Sequence, residues 1–352
     1  MKALGTTSPL GASLARALFN YAAACRAAIA LGLGVCGAAF SPTTATAEDK
    51  PVRVVVSIAP VHGLVSEIMS GVETPRLLVP PGVSPHVYAF RPSDAQAVAD
   101  ADLIVGVGGT LEAWLRRPMD ALAADDRVLW LGAADGVTRL PARHAGVWLA
   151  KALAKSRSSD ASRPLPGPPS LPAPALTDRF LDPHLWLDPR NAAIWTGEIA
   201  DALAIADPAN ATRYHANAKA LRASLKALEA EISADLAPLQ DARYLVQHDA
   251  YQYFEERFGL APIGAIALSD GAPPSAAQLS AIQNRLRVTG AECIFTEPQF
   301  PTRLAQRLQE GAGARLGELD PLGVTVEPGP GAYATLLRGL AQGLKDCLSA
   351  PA

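Results

Sequence analysis

Short runs of β-branched and other apolar residues, separated by helical stretches, most constrain how this chain folds. Val52 to Ile58 (VRVVVSI) is the first of them. Without polar alternation, such a run reads as a strand buried on both faces of a parallel sheet. A helical stretch follows from Val61 to Ser70, then Arg76-Leu77-Leu78-Val79 and a Pro-Pro-Gly turn. Arg91-Pro92-Ser93-Asp94 opens a helix over Ala95 to Ala99, and Leu103 to Val107 and Arg127 to Leu131 are further strands. Strand and helix alternate, which predicts right-handed βαβ units.

A second series begins at Arg243 to Gln247. A helix from Ala250 to Phe258, strands at Cys293 to Thr296 and Arg315 to Leu319, and a last helix from Tyr333 to Leu348 complete it. Between the series, Asp207-Pro208 reads as a helix start, with Asp as cap and Pro in the first turn. Leu221, Leu225, Leu228, Ile232 and Leu236 recur at spacings of four and three, one apolar face of a long helix ending near Pro238. The expected fold is α/β: two βα lobes with mainly parallel sheets, joined by one long helix over 207–238. The lobes span 48–206 and 239–352. Within the first, 143–177 is expected to be a mobile surface loop, because Pro and Ser dominate its second half.

The N-terminus reads as a leader rather than part of the fold. Lys2, Arg16 and Arg26 form a basic region, and an apolar run from Ala27 to Phe40 follows. That run is short of the roughly 20 residues a membrane span needs. Ala45-Thr46-Ala47 is an A-x-A cleavage signal, so 1–47 is read as a signal peptide. A lipoprotein alternative through Cys36 would require a small residue where Val35 stands. With the leader removed, Cys293 and Cys347 remain. In an oxidising compartment the pair reads as one disulfide, the alternative being two buried free thiols. Net charge of −3 gives no sign of a nucleic-acid partner.

Of six histidines, three occupy positions where ligands are commonly held. His248 follows a strand at its carboxyl end, where open α/β sheets bind ligands. His86 and His184 stand in Pro-flanked turns, Ser84-Pro85-His86 and Asp182-Pro183-His184. Neither H-E-x-x-H nor C-x-x-C is present, so a site built from them would draw one ligand from each of three distant loops. Neutral imidazole suits Zn²⁺, and three nitrogens leave a fourth position for water or a carboxylate, for which Asp320 is the protein candidate. Glu297 and Asp188 flank strand or turn ends, where they either orient ligand imidazoles or cap turns. His62, His144 and His215 are read as structural or solvated.

Eight segments carry a resemblance: Ser57-Ile58-Ala59-Pro60-Val61-His62, Leu77-Leu78-Val79-Pro80, Ser84-Pro85-His86-Val87-Tyr88, Arg91-Pro92-Ser93-Asp94, Asp182-Pro183-His184-Leu185-Trp186-Leu187, His248-Asp249-Ala250-Tyr251, Thr296-Glu297-Pro298-Gln299-Phe300 and Glu318-Leu319-Asp320-Pro321-Leu322-Gly323. In content and order they resemble the periplasmic zinc-binding proteins of bacterial zinc-uptake ABC transporters, within the metal-specific solute-binding proteins. The resemblance implies two lobes joined by a rigid helix, a Zn²⁺ site in the cleft with His86, His184 and His248 as ligands, and handover to a membrane permease. It also supports the Cys293–Cys347 bridge. A histidine rather than a carboxylate at 248 resembles the zinc branch more than the manganese branch.

Two departures bear on the site. Some zinc members carry a carboxylate immediately before the first ligand histidine; here Pro85 stands there, leaving Asp320 or water as the fourth ligand. Many also carry a His- and acid-rich loop, whereas this one holds only His144, so no second metal reservoir is expected. The expected molecule is a periplasmic monomer that is not an enzyme. The rivals are a manganese or iron binder of the same fold, a three-histidine zinc enzyme with Glu297 as base, and an adhesin.

Overall fold

The computed structural model describes residues 50–108, 111–122, 125–143, 181–267 and 274–349. The leader, His144 and residues 144–177 of the Pro- and Ser-rich loop lie outside the described residues.

The first series forms β1 (Val54–Val56), α1 (Ala59–Ile68), β2 (Arg76–Leu77), α2 (Pro92–Asp100), β3 (Leu103–Gly106), α3 (Ala113–Ala121) and β4 (Val128–Trp130). Then come α4 (Pro189–Ala206) and α5 (Ala211–Leu236). The second series is β5 (Tyr244–His248), α6 (Gln252–Phe258), β6 (Gly264–Ala267), α7 (Ala276–Thr289), β7 (Cys293–Thr296), α8 (Arg303–Ala312), β8 (Arg315–Glu318) and α9 (Ala332–Leu348). Two four-stranded sheets result, in the orders β2-β1-β3-β4 and β6-β5-β7-β8, with every strand pair parallel. The two lobes therefore repeat one strand order.

The unbroken apolar runs are explained by the two faces of each sheet. Successive side chains point to opposite faces. Val54 and Val56 of β1, and Cys293 and Phe295 of β7, enter one core shared by the two lobes. Val55 and Ile104 face a separate outer cluster with Val98, Leu115 and Met119. Leu245 and Ile294 do the same in the second lobe, against Leu286 and Leu308. Both faces are covered, so no polar alternation was available to either sheet.

The long helix joins the lobes as expected, flanked by short 3-10 turns at Pro208–Asn210 and Ala237–Leu239. Leu221, Leu225, Leu228, Ile232 and Leu236 are all buried along it. Truncating any one of them to Ala is expected to cost about 2–5 kcal/mol. Its polar side chains hold both lobes. Asn217 Nδ2 donates to the carbonyls of Ile68 and Ser70, and Arg213 Nη1 to that of Gly71, satisfying the end of α1. At the other end, Glu231 takes a two-pronged bond from Arg338 of α9, and Asp235 pairs with Lys345. Between the lobes α1 meets the start of α9 so closely that a Cβ on Gly63 would lie 2.9 Å from the Tyr333 backbone nitrogen.

Two local readings differ from the structure. Asp207 does not cap the long helix; its Oδ2 accepts from the Tyr214 hydroxyl at 2.6 Å and from Asn210 Nδ2 at 2.8 Å. Arg143, placed at the start of the mobile loop by composition, is instead a largely buried guanidinium paired with Asp249 and Glu255. The bridge between Cys293 of β7 and Cys347 of α9 is formed.

Candidate metal centre

Each of the three histidines is set by its own local device. His86 lies in a 3-10 turn, Pro85–Val87, whose start is capped by Ser84 Oγ accepting the His86 N–H at 3.3 Å. Buried Pro85 anchors that turn, and its carbonyl accepts from Trp114 Nε1 at 2.7 Å. His184 is held by Asp182, whose Oδ1 accepts both the His184 backbone N–H at 3.0 Å and the ring Nδ1–H at 2.7 Å. With Pro183 between them, this is an Asx turn that points one nitrogen at the carboxylate and the other away. His248 is the last residue of β5 rather than the first beyond it. Its Nδ1–H donates to Glu297 Oε1 at 2.6 Å, and Glu297 Oε2 accepts Gln299 Nε2 at 2.8 Å.

In the neutral imidazoles those bonds leave Nε2 of His184 and His248 as the lone-pair nitrogen, facing inward. His86 Nε2 lies 3.1 Å from His184 Nε2, and His248 Nε2 lies 3.4 Å from it. One ligand atom from each of the three falls within 4.8 Å of the others, the one such grouping of His, Cys, Asp or Glu among the described residues. Lone pairs converging at this range repel unless a cation or proton lies between them. A tetrahedral Zn²⁺ with Zn–N bonds of about 2.0–2.1 Å sets its nitrogens roughly 3.3 Å apart. Both separations from His184 Nε2 are close to that value. Pro85, Trp186, Pro321 and Leu322 line the pocket around the imidazoles. Trp186 stands edge-on to His184 and donates its indole N–H to the Pro321 carbonyl at 2.8 Å, while Phe300 stands edge-on to His248.

Buried carboxylates surround the cluster. Burial pushes the Asp182 carboxyl up to about 7, against the His184 N–H, Arg143 and the neighbouring imidazoles. Burial likewise raises Glu255 to about 7 and raises Asp249, with Arg143 opposing both shifts.

The other candidates stand elsewhere. Asp320 is not in the histidine group; its carboxylate accepts the N–H groups of Leu322, Gly323 and Thr325, closing the turn that presents Pro321 and Leu322 to the pocket. Asp188 caps α4 by accepting the Arg190 N–H, and takes a two-pronged bond from Arg257. Of its two sequence readings, the cap is the one the structure shows. The orienting role falls to Asp182 instead, whose signal in the sequence is an Asp two residues ahead of a histidine across a proline. His62 is buried, with Nε2 bonded to the Pro75 carbonyl and Nδ1 to Ser66 Oγ. His215 lies on the exposed side of α5 beside Asp201.

Known proteins resemble this chain along most of its length. The family model "ZnuA: Zinc-uptake complex component A periplasmic" matches residues 54–347. The high-affinity zinc uptake system protein ZnuA of Brucella suis biovar 1 (strain 1330) is 40% identical over 305 residues, covering 84% of this chain and 91% of that one. Its counterpart from Paracoccus denitrificans (strain Pd 1222) is 37% identical over 324 residues, covering 90% and 98%. Among solved structures, a ZnuA crystal structure superposes with TM-score 0.65 at 25% identity, covering 85% of this chain and 99% of that one. A zinc-bound ZnuA lacking its residues 138–173 gives 0.66 at 25% identity, covering 86% and 100%. The chain belongs to the ZnuA family, the periplasmic component of zinc-uptake complexes.

Proposed function

We propose that this protein captures Zn²⁺ between its lobes through Nε2 of His86, His184 and His248, with water as fourth ligand, and delivers it to the membrane permease of an ABC transporter. The convergence of three imidazole nitrogens within 4.8 Å, with His184 Nε2 at 3.1 and 3.4 Å from the other two, carries this reading. The relatives named for zinc uptake support the cargo, and the A-x-A leader supports a periplasmic location. Three neutral nitrogens favour Zn²⁺ over manganese, which prefers oxygen ligands. Water takes the fourth position because Asp320 is committed to three backbone donors.

Enzymatic hydrolysis fits less well. Glu297, the carboxylate the sequence offers as a base, lies behind His248 and is bonded to its Nδ1. The shared core and the polar ties of the long helix to both lobes favour local loop adjustment over wide hinge opening on metal release.

Metal analysis and competition calorimetry on the mature protein test the assignment. One Zn²⁺ per chain, preferred over Mn²⁺, is expected, with severe weakening in His248→Ala. Equal zinc affinity in the two proteins would remove a central ligand and the reading with it.

A further inference from the structure

The segment bearing His184 is tied to the element bearing His248 by contacts that the imidazoles do not make. Pro141 and Leu181 pair as an isolated antiparallel bridge, and the Asp182 N–H donates to the Leu140 carbonyl at 2.9 Å. Helix α6, which follows His248, grips both bridged segments. The Tyr253 hydroxyl accepts the Leu140 N–H at 2.9 Å and donates to the Asp182 carbonyl at 3.0 Å. The Gln252 amide, turned to satisfy its surroundings, donates to the Pro141 carbonyl at 3.2 Å and Asp182 Oδ2 at 3.0 Å.

Arg143 closes the arrangement. Its Nε donates to Asp249 at 2.8 and 3.1 Å, its Nη2 pairs with the same carboxylate, and its Nη1 donates to Glu255 Oε2 at 2.6 Å. The Arg143 side chain is 15% exposed, and those of Asp249 and Glu255 are 5% and 3% exposed. One planar guanidinium thus bridges the residue next to His248 and a residue of α6, a fork that a lysine cannot reproduce.

We infer that Arg143 is a positioning residue for the metal centre. By bridging Asp249 and Glu255 it holds the Leu140–Arg143 and Leu181–His184 segments against α6, and so sets Asp182 and His184 in place relative to His248. This rests on the three-histidine reading of the site.

Three accounts of Arg143 differ in sign. If its charge alone mattered, removing a cation near the bound metal would tighten zinc binding. If it served stability alone, apo and zinc-bound protein would lose stability equally and affinity would not move. Positioning predicts weaker binding and faster release, because His184 loses its place.

The test is zinc release into excess chelator, with equilibrium competition and thermal unfolding of apo and loaded forms. The mature wild type is compared with Arg143→Gln, Arg143→Lys, Glu255→Gln and His248→Ala. Arg143→Gln is expected to bind one zinc about tenfold more weakly, the low end for groups behind metal ligands. Arg143→Lys, which restores charge but not the fork, should fall between it and wild type. Glu255→Gln should weaken binding in the same direction. Folded Arg143→Gln with wild-type or tighter affinity would overturn the inference. If that variant fails to fold, wild-type release rates in both Arg143→Lys and Glu255→Gln would do the same. Wild-type zinc binding by His248→Ala would instead sink the three-histidine reading beneath it.

Discussion

Replacing Glu297 by Gln tests how much of the metal affinity comes from behind the proposed ligands. Glu297 is 1% exposed and makes two bonds in opposite directions, to His248 Nδ1 at 2.6 Å and to Gln299 Nε2 at 2.8 Å. An amide is nearly the same shape, so no cavity opens. Its oxygen can keep the bond to His248 only if its NH₂ faces Gln299, whose amide must then turn to accept. Hydrogen bonds to a charged group contribute about 1.5–3 kcal/mol. The amide retains part of that, but loses the charge that raises the basicity of the imidazole and stabilises the metal. A net loss of about 1.4–2.7 kcal/mol corresponds to a 10- to 100-fold fall in zinc affinity, the range typical of such partners. Competition against a chromophoric zinc chelator near neutral pH measures it, with circular dichroism and unfolding of the apo form confirming the fold. A folded Glu297→Gln protein within twofold of wild type would refute the claim that this carboxylate sets His248 for binding.

Two further outcomes follow from other parts of the molecule. The Cys293–Cys347 bridge, across a sequence separation of 54, should stabilise the fold by about 4 kcal/mol in the chain-entropy model. Denaturant unfolding of oxidised and reduced protein should therefore differ by that amount, and coincident midpoints would contradict it. Burial lowers the pKa of His62 despite its bond to the Pro75 carbonyl, so the folded state takes up this proton less readily than the unfolded chain. His62 thus contributes stability that is present above its unfolded value of about 6.5 and is lost as pH falls from there toward its lower folded value. The melting temperature of apo wild type should drop more than that of apo His62→Gln between pH 7.5 and 5.5. Parallel drops would show that His62 is not part of acid sensitivity.

What the sequence made legible was whatever local chemistry sufficed to specify. Runs such as Cys293–Thr296 appear as strands with the expected bounds because burial on both faces demands continuous apolar residues. His86 and His184 were readable because a proline fixes the backbone that carries the next side chain. Elements lacking a dominant pattern were missed. Helix α4 alternates small residues such as Ala192, Ala193 and Ala200 with few large ones, and β6 (Gly264–Ala267) is a short edge strand. The Asp-Pro start signal was right in kind and misplaced: Asp188-Pro189 carries the side-chain cap, while Asp207 is drawn off by Tyr214 and Asn210. Asp182 and Arg143 depend on tertiary partners, and Arg143 adjoins a stretch whose composition suggested only a loop. The value of either residue lies in a neighbour more than 60 positions away or in an Asx turn that only folding completes.

The repeated strand order makes the two lobes comparable, and what differs between them is the side chain at one strand end. In the order β2-β1-β3-β4 the topology reverses between β1 and β3, and in β6-β5-β7-β8 between β5 and β7. Ligands in open α/β sheets gather at the carboxyl ends of such strands. In the first lobe that position is filled from within. Glu112, fully buried, accepts from Ser57 Oγ at 2.7 Å and from the N–H groups of Val107 and Gly108 at 2.9 Å each, so every partner it uses is structural. In the second lobe the corresponding carboxylate is Glu297, and the donor at the end of β5 is an imidazole. A serine hydroxyl ends its chain of bonds at Glu112, whereas an imidazole carries the interaction through to a second nitrogen. One side chain of that kind, at one strand end, separates a plugged switch point from one that can reach a cation. The first lobe then contributes by lending His86 from the turn after β2, which sets His86 Nε2 beside His184 Nε2 at 3.1 Å.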